Sequence, residues 1–276
     1  MLCALVASTC NADGSPDGAA VYQLLCASER VVNCGHRGSG PSEVSNLWPE
    51  NTLPAFVAAE ADGADMVELD VHLSADGHVV VIHDDTLERT TSGRGCVSDH
   101  TLAELQALDA GRGTPLAGQG VRIPTLAEVA AAIDLDLNIE LKIEASACPP
   151  PDRERFAAAV LAALASDDRA RRVVFSSFDA EVLSALRPLA PESYLVLIAT
   201  DLGGVAIAEA REFAGLNLWH GALVDVEAMM MASLDLSIWT VNDDDDLRAA
   251  LAHDVTLLIT DHPAWLHGVR TEHCGP

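Results

Sequence analysis

Lysine is almost missing from this chain. Lys142 is the only lysine among 16 Lys and Arg residues, against 42 Asp and Glu, so the formal net charge is −26 and the pI about 4.4. No basic cluster occurs anywhere along the sequence. That excludes nucleic-acid binding and adhesion to an anionic membrane as whole-surface effects, because both need positive charge to displace counterions. There are seven cysteines but no CxxC pair, which argues against a structural zinc site. No apolar run approaches the roughly 20 residues that span a bilayer. A Gly-rich phosphate loop after the first strand is also lacking, which counts against an open, doubly wound nucleotide-binding sheet.

What is present fits one large α/β domain. The chain has 276 residues, 49% of them hydrophobic, and a mean hydropathy of +0.20, enough to bury a substantial core and too apolar for disorder. Residues 1–29 read as the remnant of a secretory or lipoprotein signal, a polar linker and a short helix over Ala19–Ser28. Met1–Cys10 is apolar but short, and Ala7-Ser-Thr-Cys10 faintly resembles a lipoprotein cleavage box. The expectation is an extracytoplasmic protein (periplasmic, secreted or held by an N-terminal lipid anchor), with a frayed N-terminus on a cytoplasmic protein as the alternative. In an exported chain Cys26, Cys96, Cys148 and Cys274 are candidates for pairing, with no connectivity given. Oligomeric state is not legible.

From Arg30 the chain alternates short apolar strands with helical patterns. Strands are expected at Val31–Cys34, Met66–Leu69, Asn138–Lys142, Val173–Ser176, Tyr194–Ile198, Leu216–Trp219, Leu236–Thr240 and Leu257–Thr260. Helical patterns follow each, at Leu53–Ala61, Thr125–Ile133, Arg153–Ala165, Ala180–Leu189, Val205–Phe213, Val226–Ser233, Asp243–Ala252 and Pro263–Val269. Near-continuous apolar strands covered by helices indicate a parallel sheet buried on both faces, and eight such units indicate a closed (β/α)8 TIM barrel over residues 30–270. Val79–Ile82 follows Leu69 too closely for a parallel crossover. After the Asp76-Gly77 turn it reads as the return arm of a hairpin over the barrel mouth. Residues 85–123, with a short helix at Leu102–Leu108, read as an insertion after the second barrel strand, and 271–276 as a tail. The acidic run Asp243–Asp246 reads as a helix N-terminus, where the dipole favours acids.

Residues 66–84 carry the chemistry. Glu68 and Asp70 alternate with Val67, Leu69 and Val71, so the two carboxylates share one face of a strand. Two acids at the end of an apolar strand repel each other unless a cation sits between them. Val79–Ile82 then deliver His83 and Asp84. At the same end of the barrel the first strand brings Gly35-His36-Arg37-Gly38, the third Glu140 and Lys142, and the last two Trp239-Thr-Val-Asn242 and Thr260-Asp261-His262. Plainer readings exist for each: Glu140 could simply pair with Lys142, Asp70 with Arg37, and Trp239 could be a mouth-lining hydrophobe. Most other histidines read as solvated or capping. Still, three carboxylates, two histidines, one arginine and the sole lysine fall together. Glu68, Asp70 and Glu140 form an oxygen-only ligand set suited to one Mg²⁺ or Ca²⁺. Arg37 and Lys142 would hold a tetrahedral anion, and two histidines could act as general base and general acid. Phosphodiester cleavage is the reaction implied.

Gly35-His-Arg-Gly, Pro49-Glu-Asn-Thr52, residues 63–71, residues 76–84, Arg89-Thr-Thr91, Glu140-Leu-Lys142, Trp239-Thr-Val-Asn242 and residues 259–263 resemble the glycerophosphodiester phosphodiesterases. The resemblance covers about residues 31–266. It implies a TIM-barrel, metal-dependent phosphodiesterase releasing sn-glycerol 3-phosphate and an alcohol from a small glycerophosphodiester. By position it implies Glu68, Asp70 and Glu140 as metal ligands, His36 and His83 as the acid–base pair, and Arg37 and Lys142 as phosphate contacts. Glu50 and Asn51 would shape the site, Glu50 by bracing Arg37. The link from Ser39 to Trp48 is longer than the family's usual one. A lysophospholipase D or sphingomyelinase D-like enzyme acting on lipids is the first alternative, and a silent head-group-binding module a remote one. A barrel metallohydrolase of the His-x-His type is excluded, since Cys34 stands where its first histidine belongs.

Overall fold

A computed structural model describes residues 22, 25–26, 31–45, 47–143, 147–223 and 234–274. Among the described residues, nine strands form one sheet: β1 (Val32–Gly35), β2 (Met66–Leu73), β3 (Val79–Val81), β4 (Asp136–Leu141), β5 (Val173–Ser177), β6 (Tyr194–Ala199), β7 (Gly215–Trp219), β8 (Asp235–Trp239) and β9 (Val255–Thr260). Eight are parallel. Their order is β1-β9-β8-β7-β6-β5-β4-β2, and pairing of β1 with β2 closes the ring. The expected (β/α)8 barrel is therefore the fold.

Strand periodicity divides the apolar residues between two layers. Val67, Leu69 and Val71 of β2 belong to the large cluster shared with the covering helices, whereas Met66 joins Cys34, Val174, Val196 and Leu257 in a separate cluster inside the ring. Since alternate residues face opposite sides of a strand, Glu68 and Asp70 follow Met66 into the lumen. β3 pairs antiparallel with β2, the hairpin expected from the Asp76-Gly77 turn. β2 runs four residues beyond the Leu69 end read from sequence: Asp70 and Val71 pair with Glu140 and Leu141 of β4, and pairing with β3 carries the strand on to Leu73.

Several helices start at side-chain caps. Among the described helices are α1 (Ser42–Ser45), α2 (Leu53–Ala61), α3 (Leu102–Gln106), α4 (Leu126–Ala132), α5 (Arg153–Leu164), α6 (Ala180–Leu186), α7 (Gly203–Ala210), α8 (Asp244–Leu251) and α9 (Pro263–Cys274). Thr101 with Glu104 and Thr125 with Glu128 form capping boxes on α3 and α4. Asp243 accepts from the backbone N–H groups of Asp245 and Asp246, so the acidic run does open α8. The helix expected at Val226–Ser233 and the leader reading of the first residues lie outside the described residues. Of the Ala19–Ser28 run, Tyr22 stacks on His273, Leu25 is buried in the main core, and Cys26 is bridged to Cys274. That anchorage accompanies a final helix continuing past the expected Val269 end to Cys274.

The insertion has its own small core, in which Leu87, Val97, Leu105 and Ile123 pack on Val80 and Ile82 of the hairpin arm. A second bridge, Cys96–Cys148, ties it to the loop after β4. Asp85 reinforces the tie, its carboxylate accepting from the N–H groups of Ala147 (2.8 Å) and Cys148 (2.9 Å). All four candidate cysteines are thus paired, with a connectivity the sequence did not give, and Cys34 is free and buried.

Candidate active site

The C-terminal ends of the barrel strands enclose a cavity of about 190 Å³. Its polar wall comes from β1, β2, β3 and β4: His36, Arg37, Glu68, His83, Glu140 and Lys142 all line it. Phe178, Ile198, Trp239 and Ile259 form an apolar wall from the remaining strands. Catalytic residues of such barrels gather at this end because each strand delivers its last inward side chain there.

Register explains the acid cluster. β2 and β4 run parallel with Asp70 beside Glu140, and Glu68 lies one inward position below Asp70. One carboxylate oxygen from each of the three lies within 4.8 Å of the others. All three side chains are buried. Burial, and then the charges of Asp70 and Glu140, push the Glu68 carboxyl well above its ordinary range. Burial also works to raise Asp70, but His83, Lys142, Arg37 and the Asn51 amide outweigh it and hold that carboxyl far below its usual value. A pocket that pushes neighbouring acids apart in this way is under charge strain that a hard divalent ion would relieve. The all-oxygen donor set fits such an ion.

The plainer pairings read from sequence are present too. Lys142 Nζ donates to Glu140 Oε1 at 2.8 Å and lies 3.7 Å from Asp70 Oδ1, while Arg37 Nε lies 3.7 Å from Asp70 Oδ2. The protein's own cations therefore flank the acids.

Arg37 is held in an unusual pose. Its φ of 51° lies in the left-handed region, uncommon for a non-glycine residue. Its backbone N–H donates to Glu68 Oε2 (3.0 Å) and its Nη1 to Glu50 Oε1 (2.8 Å). Gly35 makes the tight turn feasible, since a Cβ there would sit 2.1 Å from the Gly38 carbonyl oxygen. The buried Arg37 Nε has no hydrogen-bond partner among the described residues. Glu50 and Asn51 do not line the cavity. Each stands behind a residue that does or behind the acid cluster: Glu50 on Arg37, and Asn51 by donating from Nδ2 to Asp70 Oδ2 at 2.7 Å.

Each cavity histidine is backed by a carboxylate. His36 Nδ1 donates to Asp261 Oδ1 at 2.6 Å, and Asn242 Nδ2 fixes the other oxygen of Asp261 at 2.7 Å. His83 Nδ1 donates to Asp84 Oδ1 at 2.7 Å, leaving Nε2 as acceptor, 3.4 Å from Lys142 Nζ. Burial lowers the His36 pKa and the Arg37 charge adds to this, while the bond to Asp261 resists it. His72, grouped by sequence with the solvated or capping histidines, is instead buried. Its Nε2 donates to the His83 carbonyl at 3.0 Å, and burial pushes its pKa down to about 4. Trp239 lines the cavity as expected, its Nε1–H donating to the Asn217 carbonyl and its ring meeting Phe178 edge-on at 5.8 Å.

Asp261 and Asn242 had stood in mouth motifs without a role, and Asp84 only as the residue after His83. Their contacts depend on closure between β9 and β1, residues 225 apart, or on a side-chain rotamer, and neither is written in spacing. Ser176, Phe178, Ile198 and Asn217 were not picked out; strand parity is the one signal that could have flagged them.

Fold and site define a (β/α)8-barrel enzyme whose cavity gathers carboxylates, two imidazoles, Arg37 and Lys142. The chain belongs to the glycerophosphoryl diester phosphodiesterase family, whose model matches residues 36–265. It is 36% identical over 245 residues to a glycerophosphodiester phosphodiesterase of Caldanaerobacter subterraneus, covering 86% of this chain and 96% of that one. A Bacillus subtilis glycerophosphodiester phosphodiesterase is 29% identical over 274 residues, covering 93% and 92%. Among solved structures, an Oleispira antarctica phosphodiesterase in complex with its product sn-glycerol-3-phosphate superposes with a TM-score of 0.76 at 30% identity, covering 86% of this chain and 95% of that one.

Proposed function

We propose that the chain hydrolyses glycerophosphodiesters to sn-glycerol 3-phosphate and an alcohol by paired histidine catalysis beside a single divalent cation. The observation that carries this is the convergence, at one cavity, of Glu68 and Glu140 with Asp70 clustered beside them, two carboxylate-backed imidazoles, and Arg37, whose buried Nε has no hydrogen-bond partner among the described residues. Glu68, Asp70 and Glu140 would hold the ion, Ca²⁺ or Mg²⁺. When bound it supplies Lewis-acid polarisation of the phosphoryl oxygens.

The protein's side chains do the rest. Arg37 and Lys142 hold the phosphodiester anion, Arg37 with the Nε–H that has no hydrogen-bond partner among the described residues. One histidine takes the proton from the attacking oxygen, which is either a water molecule, giving glycerol 3-phosphate directly, or the glycerol 2-hydroxyl, giving a cyclic phosphate that a water molecule then opens to glycerol 3-phosphate with the two histidines exchanging roles. As that oxygen bonds to phosphorus, the bond from phosphorus to the departing oxygen breaks, and the other histidine protonates the alkoxide. Asp261 and Asp84 keep Nδ1–H on each ring, so Nε2 is the exchanging nitrogen in both. The Oleispira relative's bound product supports glycerol 3-phosphate as the retained half of the substrate.

The apolar wall favours a second reading for the alcohol side. Phe178, Ile198, Trp239 and Ile259 face the acids across the cavity. Leu47 and Val44 of the long link after β1, with Trp219 at the end of β7, are exposed large hydrophobics at the same mouth. A lysophospholipase D-type substrate would use that surface for its chain. Two disulfides, Cys26–Cys274 and Cys96–Cys148, support placing the enzyme in an oxidising, extracytoplasmic compartment.

Release of glycerol 3-phosphate from glycerophosphocholine tests the first reading. Turnover at least tenfold better than choline release from lysophosphatidylcholine is expected. The reverse preference would promote the lipid reading, and no turnover of either would overturn both.

A further inference from the structure

Arg89 belongs to the insertion rather than to the barrel, yet it sits between two carboxylates that each support a cavity residue. Its guanidinium makes five donations. Nε reaches Asp84 Oδ2 at 2.7 Å and Nη2 reaches Asp84 Oδ1 at 2.9 Å. Nη2 also reaches Glu50 Oε1 and Nη1 reaches Glu50 Oε2, both at 2.8 Å. Nη1 makes a longer contact with Glu43 Oε1 at 3.4 Å. Arginine carries five N–H donors in a planar fork, so all are committed. The Glu50 carboxylate is filled as well, with four donors, and Asp84 receives three. Glu50 also takes Arg37 Nη1 and the Ser42 N–H, and Asp84 also takes His83 Nδ1. Glu50 is buried, yet its bonds to Arg89 and Arg37 hold its carboxyl below the ordinary range.

We propose that Arg89 is a positioning residue that locks two cavity groups through one guanidinium: His83 by way of Asp84, and Arg37 by way of Glu50. The reason lies in what each carboxylate would do without it. Asp84, freed on one side, could turn off His83 Nδ1 and let the imidazole exchange tautomers. Glu50, released, could follow Arg89's departure and withdraw Nη1 of Arg37 from its pose, which already has left-handed backbone geometry to maintain. A base or acid in the wrong tautomer and an anion clamp out of place affect different kinetic constants, and one side chain governs both. Lysine cannot substitute, because three donors on a point charge cannot fork onto two carboxylates at once. The insertion thus contributes to the chemistry by bracing the loops after β1 and β3 against each other.

The inference rests on the hydrolase reading for its kinetic consequence but not for its spectroscopic one, and two readouts separate them. In Arg89→Ala, glycerophosphocholine hydrolysis should show kcat lowered and KM raised, with kcat/KM down about 10- to 100-fold, the range seen when outer partners of site residues are removed. Guanidinium chloride at millimolar concentration should restore part of that loss in Arg89→Ala and nothing in His83→Ala. Glu43→Ala, which removes only the long contact, should behave like wild type. In parallel, long-range ¹⁵N correlation spectra should show the His83 ring as the Nδ1–H tautomer in wild type and as a tautomer mixture in Arg89→Ala. Should Arg89→Ala fail to fold by circular dichroism, Arg89→Lys carries the same comparison, with the loss expected to persist. A kcat/KM within about threefold of wild type in a folded variant, or a His83 signal unchanged by the substitution, overturns the proposal. A wild type without turnover but with the tautomer change would sink the hydrolase reading and leave the brace standing.

Discussion

His36 and His83 each have one nitrogen spoken for by an aspartate, so under the proposed mechanism substitution removes a proton carrier without removing a structural pillar. His36→Ala and His83→Ala should each lower kcat by about 10²- to 10⁴-fold while thermal melting stays near wild type. A variant with near-full turnover would take that histidine out of the mechanism. Asp261→Asn is a subtler probe. The Asp261 carboxylate raises the His36 pKa against the lowering effect of burial. Removing that charge lets the pKa fall further, so the limb of the pH–rate profile that His36 governs should move to lower pH, together with a drop in kcat. A limb that stays in place, or moves to higher pH, would contradict the role given to this pair.

Much of this residue-level chemistry was legible in advance. Glu68, Asp70, Glu140 and Lys142 declared themselves by strand parity, since polar residues at alternate positions of an apolar strand end have to share a face. What stayed hidden was the layer behind them. Asn242 bonding Asp261, and Arg89 bonding Glu50 across 39 residues, are products of ring closure and loop packing, which single-strand patterns do not encode. His72 misled for a related reason: an inward position on β2 looks no different in sequence from an exposed one until the hairpin covers it.

At the level of elements, the hairpin arm β3 and the insertion behave as a unit bound to the barrel. The Asp76-Gly77 turn and the β-branched run made β3 readable, because the connection was too short for anything but an antiparallel return. The length of β2 was not readable, since its last residues are strand only through pairing with β3. The Cys96–Cys148 bridge closes a separation of 52 residues between the insertion and the loop after β4. Replacing both cysteines by serine should cost about 2–4 kcal/mol, measured by urea unfolding. A double variant with unchanged midpoint would show that the small insertion core and Asp85 already hold that loop. Asp243→Ala, which removes the α8 cap, should cost about 0.5–2 kcal/mol by the same measurement.

The whole molecule is strongly acidic, and most of that charge lies outside the site. With −26 formal charges and one lysine, self-repulsion works against the compact state. Screening lengths fall from about 30 Å at 0.01 M salt to about 8 Å at 0.15 M. The melting temperature should therefore rise between those two conditions, and a flat or falling value would mean that local ion pairs, not net charge, set the response. At the cavity the same excess of acid is concentrated on three clustered carboxylates from two adjacent strands, the set proposed to hold a divalent ion. Titration calorimetry of the chelator-treated protein with Mg²⁺ and Ca²⁺, with glycerol 3-phosphate release followed on the same samples, tests this most directly. The account predicts one divalent site per chain, activity that returns as the site fills, and affinity at least about tenfold weaker in Glu140→Gln. Full turnover in the presence of chelator, with no heat of binding, would contradict it.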